Sequence, residues 1–243
     1  MEEGITKWVD LTTLKQRYKN CRQCREMCVS RTSIGHGWGN KSAPIMFIGE
    51  APNEAEDKQG IPFAGPPGRM LGQMLYDIGL EREDVWTTNT VMCRPAIKNR
   101  HDLWENRTPT KSEINACLSR LQLEICNVDP DLVVLMGEVP ARTLLGQSAK
   151  MSKLVGQWFT LRIPVLGTVA EYPTIVLWHP SYLLRVDAGW DDNGPAKQTL
   201  DYIRHAVKCV DLLHILRESP KRGLSYKPDL PHRGEDASVL GKL

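Results

Sequence analysis

The stretch Ile45-Met46-Phe47-Ile48-Gly49-Glu50-Ala51-Pro52-Asn53, continued by a polar run to Gly60-Ile61-Pro62-Phe63-Ala64-Gly65, decides the fold. Its apolar run ends abruptly on a glycine and a carboxylate, as a buried parallel strand does. In open α/β sheets, ligands bind beyond the carboxyl ends of such strands. The loop from Glu50 to Gly65 is therefore where chemistry is expected.

Three further apolar runs follow the same plan. Val85 to Val91 is rich in β-branched residues and leads into Cys93-Arg94-Pro95. Asp131 to Met136 reads as a third strand, and Thr174 to Trp178 as a fourth, followed by His179-Pro180-Ser181-Tyr182-Leu183-Leu184-Arg185. Helices are expected between and around them. One spans residues 8–20, one runs from Arg69 to Ile78 with Gly79 as its stop, and one runs from Val139 to Leu145. Another starts at Thr110, where Glu113 three residues later makes a capping box, and carries Cys117, Leu121 and Ile125 inward. The last extends from about Ala196 to Leu216, with Ile203, Val207, Val210, Leu213 and Leu216 on one face. Residues 96–109 read as a polar loop. Alternation of this kind implies a parallel sheet with helices on both faces. The motifs after Ile48, near Val91 and after Trp178 then meet in one cleft.

The chain has 243 residues, 41% hydrophobic and 25% charged, with a formal net charge of +2. These values are ordinary for a globular protein and exclude a global basic field, so any nucleic-acid surface must be local. The start lacks the basic and apolar regions of a signal peptide, and no apolar run is long enough to span a bilayer. A cytoplasmic protein without a membrane partner is expected. Residues 1–218 are expected to form a single domain. Beyond Ser219, Pro, Gly, Lys and Asp leave little to bury, and residues 219–243 are expected to be a disordered tail.

The seven cysteines are unevenly placed: Cys21, Cys24, Cys28, Cys93, Cys117, Cys126 and Cys209. In a reducing compartment, clustering of this kind points to metal before disulfides. Cys21 and Cys24, with Cys93 and Cys117, offer four thiolates, which suit zinc or an iron–sulfur cluster; spacing alone does not choose. The plain alternative is that Cys93 and Cys117 are buried thiols. Cys28 competes for a ligand place, whereas Cys126 and Cys209 read as helix-face core residues.

Among the acidic residues, Glu54 reads as solvated, whereas Glu50 stands at a strand end, where a carboxylate orients water or stabilises a cation. Phe63, in a Gly/Pro-rich loop, is either a core plug or a stacking platform for a planar base. Asn89 lies in a β-rich run where asparagine is disfavoured, and its amide offers a donor and an acceptor to a base edge. His179 can donate to an oxygen that gains negative charge.

Taken in order, these motifs resemble the uracil-DNA glycosylase superfamily, and within it the family 4 enzymes. The matching residues are Gly49-Glu50-Ala51-Pro52 with Glu56-Asp57, Gly60-x-Pro62-Phe63-x-Gly65, Thr88-Asn89-x-Val91-x-Cys93-Arg94-Pro95, Cys117 after its helix start, and His179 to Arg185. The resemblance covers roughly residues 20–190. It implies a three-layer α/β/α sandwich around a four-stranded parallel sheet. It also implies a structural [4Fe–4S] cluster on Cys21, Cys24, Cys93 and Cys117, with zinc as the alternative occupant.

The implied activity is hydrolysis of the N-glycosidic bond of a flipped-out pyrimidine, uracil first, leaving an abasic site. Glu50 and His179 would be catalytic, while Ala51, Asn53, Phe63 and Asn89 would bind the base. Ser181 and Arg185 would lie along the DNA, single- or double-stranded. A monomer is expected, associated with the nucleoid in a bacterial or phage setting.

Three departures stand out. Asn53 occupies a place where glycine is usual, facing the C5 edge of the pyrimidine, so a C5-modified base of hypermodified phage DNA is the alternative substrate. The segment between Cys93 and Cys117 is long and carries Arg100, His101 and Arg107 around Trp104, a set suited to gripping phosphates. One branch of the superfamily captures the sugar covalently with a loop histidine, and Asn99-Arg100-His101 loosely resembles that loop. A superfamily member that binds damaged DNA without turnover is a further alternative. The stretch from Cys21 to Arg31 is one residue longer than the family pattern.

Overall fold

The computed structural model describes residues 9–186 and 194–218, with side chains through residue 210. The expected tail, residues 219–243, and the lower part of the last helix's apolar face lie outside the described side chains. Elements in chain order are α1 (Leu11–Tyr18), α2 (Arg25–Ser30), β1 (Trp38–Gly39), β2 (Ile45–Gly49), α3 (Glu54–Gln59), α4 (Pro66–Tyr76) and β3 (Trp86–Asn89). There follow β4 (Ala96–Lys98), β5 (Trp104–Asn106), α5 (Lys111–Val128), β6 (Leu132–Met136), α6 (Glu138–Leu145) and α7 (Met151–Leu154). The chain ends in β7 (Trp158–Val165), β8 (Thr168–Leu177), α8 (Pro180–Arg185) and α9 (Pro195–Glu218).

The main sheet runs β1-β3-β2-β6-β8-β7. Its inner four strands are parallel, which is the expected core, and β1 and β7 add an antiparallel edge on each side. The sheet is therefore mixed and six-stranded. Alternation along each inner strand divides the core into two layers. Met46, Ile48, Val133, Leu135 and Val176 pack with Leu14 of α1 and with Leu121 and Ile125 of α5. Ile45, Phe47, Val134, Met136, Ile175 and Leu177 pack with Leu71 and Met74 of α4, Leu183 of α8 and Ile203 of α9. This is a three-layer sandwich.

Parallel register brings the strand ends together. Gly49 pairs with Asn89, and Met136 with Leu177. Glu50, Asn89, Gly137 and His179 thus leave the sheet at one edge. The capping box of α5 forms as read, with Glu113 accepting from Thr110 N at 2.7 Å. Residues 96–109 are not a featureless loop, because β4 and β5 pair as an antiparallel hairpin. Among the described residues, no helix is long and apolar enough to cross a membrane.

Candidate active site

The strand ends open into a cleft of about 580 Å³, within the range of small-molecule sites. Glu50, Ala51, Asn53, Glu56, His179, Ser181 and Arg185 line it from the sheet side. Pro95, Asn106, Arg107 and Thr108, at the foot of the β4–β5 hairpin, form the facing rim.

Glu50 follows β2 directly and is half-buried. Burial pushes its carboxyl pKa up, and the approach of Glu138 adds to this; the Thr108 hydroxyl and Arg185 pull it down. Thr108 and Arg185 come from opposite rims, so Glu50 is held between the two walls.

His179 caps α8. Its Nδ1 accepts from Ser181 N at 3.2 Å and lies 2.8 Å from Ser181 Oγ. A backbone N–H only donates, so Nδ1 carries the lone pair and Nε2 carries the proton. Burial, then the charge of Arg185, lowers the imidazole pKa to about 4. Near neutral pH the site thus holds an uncharged Nε2–H donor. Gly137 makes room for it: its φ is +101°, and a Cβ there would lie 3.2 Å from His179 Cβ.

Phe63 faces the same ring, with centroids 5.8 Å apart and planes 21° apart. Its φ of +55° is unusual for a residue with a bulky side chain. Glu56 holds it there, accepting from Phe63 N at 2.6 Å. The same carboxylate accepts from Asn53 N at 3.0 Å and from Asn89 Nδ2 at 3.0 Å. A carboxylate only accepts, so the Asn89 amide must turn its NH2 toward Glu56. Asn89 Oδ1 then faces Gly49, where a Cβ would stand 2.3 Å from it and 3.0 Å from the Phe63 ring. The glycine at the end of β2 is thus required by both side chains, which are themselves buried and do not line the cleft.

The resemblance includes Glu56-Asp57, but no role for Glu56 is legible in the sequence, where it reads as one acid among four. It is 5% exposed, and its neighbour Asp57 is 1% exposed and accepts from Thr32 N and Ser33 N. Glu54 is exposed, as expected, and pairs with Lys58. Behind β3, Arg120 donates to the carbonyls of Asn89 and Thr90 at 2.8 and 3.1 Å and pairs with Glu124. No local signal marks Arg120, because its partners lie about thirty residues away.

The remaining expected residues divide. Asn53 lines the cleft, but its Oδ1 caps α3, accepting from Ala55 N and Glu56 N. Ser181 is engaged with His179, and Arg185 stands exposed at the rim. Arg107 is bonded to both Glu113 oxygens at 2.8 and 2.7 Å and to Glu26 at 3.0 Å, so its charge is met within the protein. Arg100 and His101 are exposed at the hairpin tip, 3.1 Å from each other, and neither lines the cleft.

Cys21, Cys24, Cys93 and Cys117 come together from separate places in the chain. Burial raises the Cys24 thiol to about 11, with Cys117, Cys93 and Cys21 adding to it. Burial also raises Cys93 to about 11, against the hydrogen bond from Arg31, while Cys117 and Cys21 push it up further. The four thiols therefore lie within reach of one another's charge. Arg31 Nη1 donates to Cys93 Sγ at 2.9 Å, a contact that favours a thiolate. Among the described residues, no three His, Cys, Asp or Glu are gathered tightly enough for a single ion. Four thiols from three separate segments, with an arginine donor on one of them, make a donor set that suits a [4Fe–4S] cluster or a zinc ion. Cys28 Sγ lies 3.9 Å from the Cys21 carbonyl and, with Cys93 and Cys21, acts on the Arg31 guanidinium.

Fold and site together define an open α/β protein with a polar cleft at its strand ends. The chain belongs to the uracil DNA glycosylase superfamily, whose family model matches residues 36–208. It is 37% identical over 173 residues to the "Type-4 uracil-DNA glycosylase" of Thermotoga maritima, covering 71% of this chain and 82% of that one. It is 33% identical to the protein of the same name from Archaeoglobus fulgidus, covering 72% and 83% of the two chains. A solved structure, the SMUG2 protein of Pedobacter heparinus, shares the fold, with a TM-score of 0.50 and 10% identity over 70% of this chain and 77% of that one.

Proposed function

We propose that this protein hydrolyses the N-glycosidic bond of uracil in DNA, leaving an abasic site. One observation carries the reading: a neutral imidazole with its proton on Nε2 lines the cleft and stacks on Phe63, which meets at Gly49 an Asn89 amide held in one orientation by Glu56. The nucleotide is extruded from the stack, and its base enters the cleft against Phe63. Asn89 Oδ1 accepts from N3–H, and the second Nδ2 hydrogen is directed to O4. Cytosine has a lone pair at N3 and is repelled by the same oxygen.

As the bond to the sugar lengthens, negative charge gathers on O2, and His179 Nε2–H donates to it. Electrostatic stabilisation of this kind supplies more of the rate enhancement than any other single effect in many active sites. Glu50 orients the attacking water and supports the positive charge on the sugar. Arg185 holds the phosphate backbone beside the extruded nucleotide, and Leu184 and Val186, both exposed, lie beside it against the opened stack.

Cys21, Cys24, Cys93 and Cys117 would hold a [4Fe–4S] cluster, which ties the N-terminal segment to the end of β3 and to α5. When bound it is a structural anchor, and the reaction needs nothing from it. The all-thiol donor set and the motif resemblance support this choice, with zinc as the alternative occupant.

Excision of a C5-modified pyrimidine is a second reading, favoured by one observation: Asn53 lines the cleft, and its amide nitrogen makes no hydrogen bond among the described residues while its oxygen caps α3. Duplex and single-stranded oligonucleotides carrying uracil, 5-hydroxymethyluracil or modified cytosine, treated with protein and then alkali, decide between them. Strand cleavage at uracil is expected. Cleavage only at a C5-modified base overturns the first reading in favour of the second, and cleavage nowhere overturns both. Covalent capture through His101 has no geometric support, since the ring stands outside the cleft.

A further inference from the structure

Arg82 belongs to none of the motifs above. It sits in Glu81-Arg82-Glu83-Asp84, a run that reads as solvated, yet its guanidinium is inside the protein. Its Cζ stands 5.7 Å from the centroid of the Trp38 ring and 5.8 Å from that of Phe63. Nη2 donates to the Pro62 carbonyl at 3.0 Å and lies 3.4 Å from Thr87 Oγ1. Nη1 is buried without a hydrogen-bond partner among the described residues.

A buried charge with an unmet donor is costly, and an apolar side chain would fill the same space without that cost. The guanidinium must therefore do what an apolar group does not. It presents a cation to two aromatic faces. It fixes the carbonyl just before Phe63, while Glu56 fixes the N–H of Phe63 itself, so the strained residue is held on both sides. It is also the cation that acts on Glu56, the carboxylate that turns the Asn89 amide.

We propose that Arg82 is a positioning residue for the base: it braces the Phe63 ring from behind and holds the Glu56–Asn89 pair in its reading orientation. The short edge strand β1 then has a purpose, since it carries Trp38, the other wall of the brace. The proposal rests on the glycosylase reading for its link to catalysis, but the brace is measurable without substrate.

The chain has three phenylalanines, so protein labelled with 4-fluorophenylalanine gives three fluorine resonances, and Phe63→Tyr identifies the one required. In Arg82→Met, the Phe63 resonance moves or broadens while those of Phe47 and Phe159 stay in place. Arg82→Lys, which keeps the charge but not the flat fork, recovers it in part. Single-turnover excision from a uracil duplex slows by roughly 10- to 100-fold in Arg82→Met, a loss typical of misplaced groups. Affinity for a duplex with a stable abasic analogue, which has no base to position, stays unchanged.

An unmoved Phe63 resonance in Arg82→Met overturns the proposal, as does an equal loss of abasic-DNA affinity and excision, which marks general fold support. If Arg82→Met does not fold, Arg82→Lys and Arg82→Gln carry the same two measurements. A wild-type protein that leaves uracil intact sinks the glycosylase reading, and the fluorine resonances still judge the brace.

Discussion

The two walls of the cleft are built differently. On the sheet side Asn89 and Phe63 are tied to residues far away in the chain, Asn89 to Glu56, its carbonyl to Arg120, and Phe63 to Arg82 as well as to nearer Glu56, while His179 is held by Ser181 close by. At the hairpin tip the bonds are local, although Arg107 at its foot reaches Glu26. Asn99 Oδ1 accepts from His101 N and Leu103 N, Lys98 pairs with Asp102, and Arg100 donates to His101. Long-range bonds fix a side chain to the whole fold, whereas local bonds fix it only to its own loop. The floor is therefore preorganised for one geometry, and the hairpin can adapt to the DNA it meets. Losses on the floor should fall on rate, and losses on the hairpin on binding.

The largest effect is expected where both walls share an anchor. Cys93 lies between the end of β3 and the start of β4, with its sulfur on Arg31. Cys93→Ser removes one cluster thiolate, and loss of a metal site belongs with changes that cost more than about 4 kcal/mol. The purified variant should be colourless, contain much less iron than wild type and unfold at lower temperature. A wild-type protein that is colourless and holds zinc refutes the cluster itself.

On the floor alone, His179→Ala should lower the maximal excision rate by about 10²- to 10³-fold, the usual cost of losing one oxyanion donor. Affinity for abasic DNA should hardly change. The ring should also stay neutral across the working range. Its folded pKa, about 4, lies below the ordinary value of 6.5, so the unfolded chain takes up the proton first as pH falls. Stability should drop between these two values, and His36, also lowered to about 4 by burial, should act in the same direction. Nitrogen NMR of His179 that shows a protonated Nδ1 at pH 7 would remove the proposed donor.

Glu56→Gln tests how the floor is locked. A glutamine has one oxygen for three N–H donors, so at least one is left unmet, at about 1–3 kcal/mol. Denaturant unfolding should show this loss. Uracil excision should slow as well, because the Asn89 amide is then free to flip. An unchanged rate would show that Asn89 needs no partner to read the base.

What is legible in the sequence follows the same division. Strand ends are legible because a buried parallel strand writes its own apolar run, and the α5 cap is legible because Thr110 and Glu113 are three residues apart. Glu56 and Arg82 are not, since each sits in a run of charges and owes its burial to partners 20 to 33 residues away. The hairpin is hidden for a different reason. Its strands are three residues long, and its turn uses Asn99 bonds and Asp102 at φ +61° in place of glycine. Strand β7 is hidden too, because Pro164 and Pro173, residues that disfavour strands, lie within the continuous β7–β8 register.

The smallest effect should come from the hairpin tip. Arg100 is exposed, and its contact in the free protein is the neighbouring His101 ring, so Arg100→Ala should leave stability unchanged. Its contact is not an acid, unlike those of Arg107, and it stands on the rim away from the base. If it meets one phosphate, the slope of log affinity against log salt should fall by about 0.9. Excision at saturating protein should be unaffected. Arg107→Ala should behave oppositely: it breaks a bidentate pair with Glu113 and should cost stability more than DNA binding. Should the two variants exchange these phenotypes, the charge that meets DNA lies at the foot of the hairpin, and the contrast between a fixed floor and an adaptable rim fails at its outer wall.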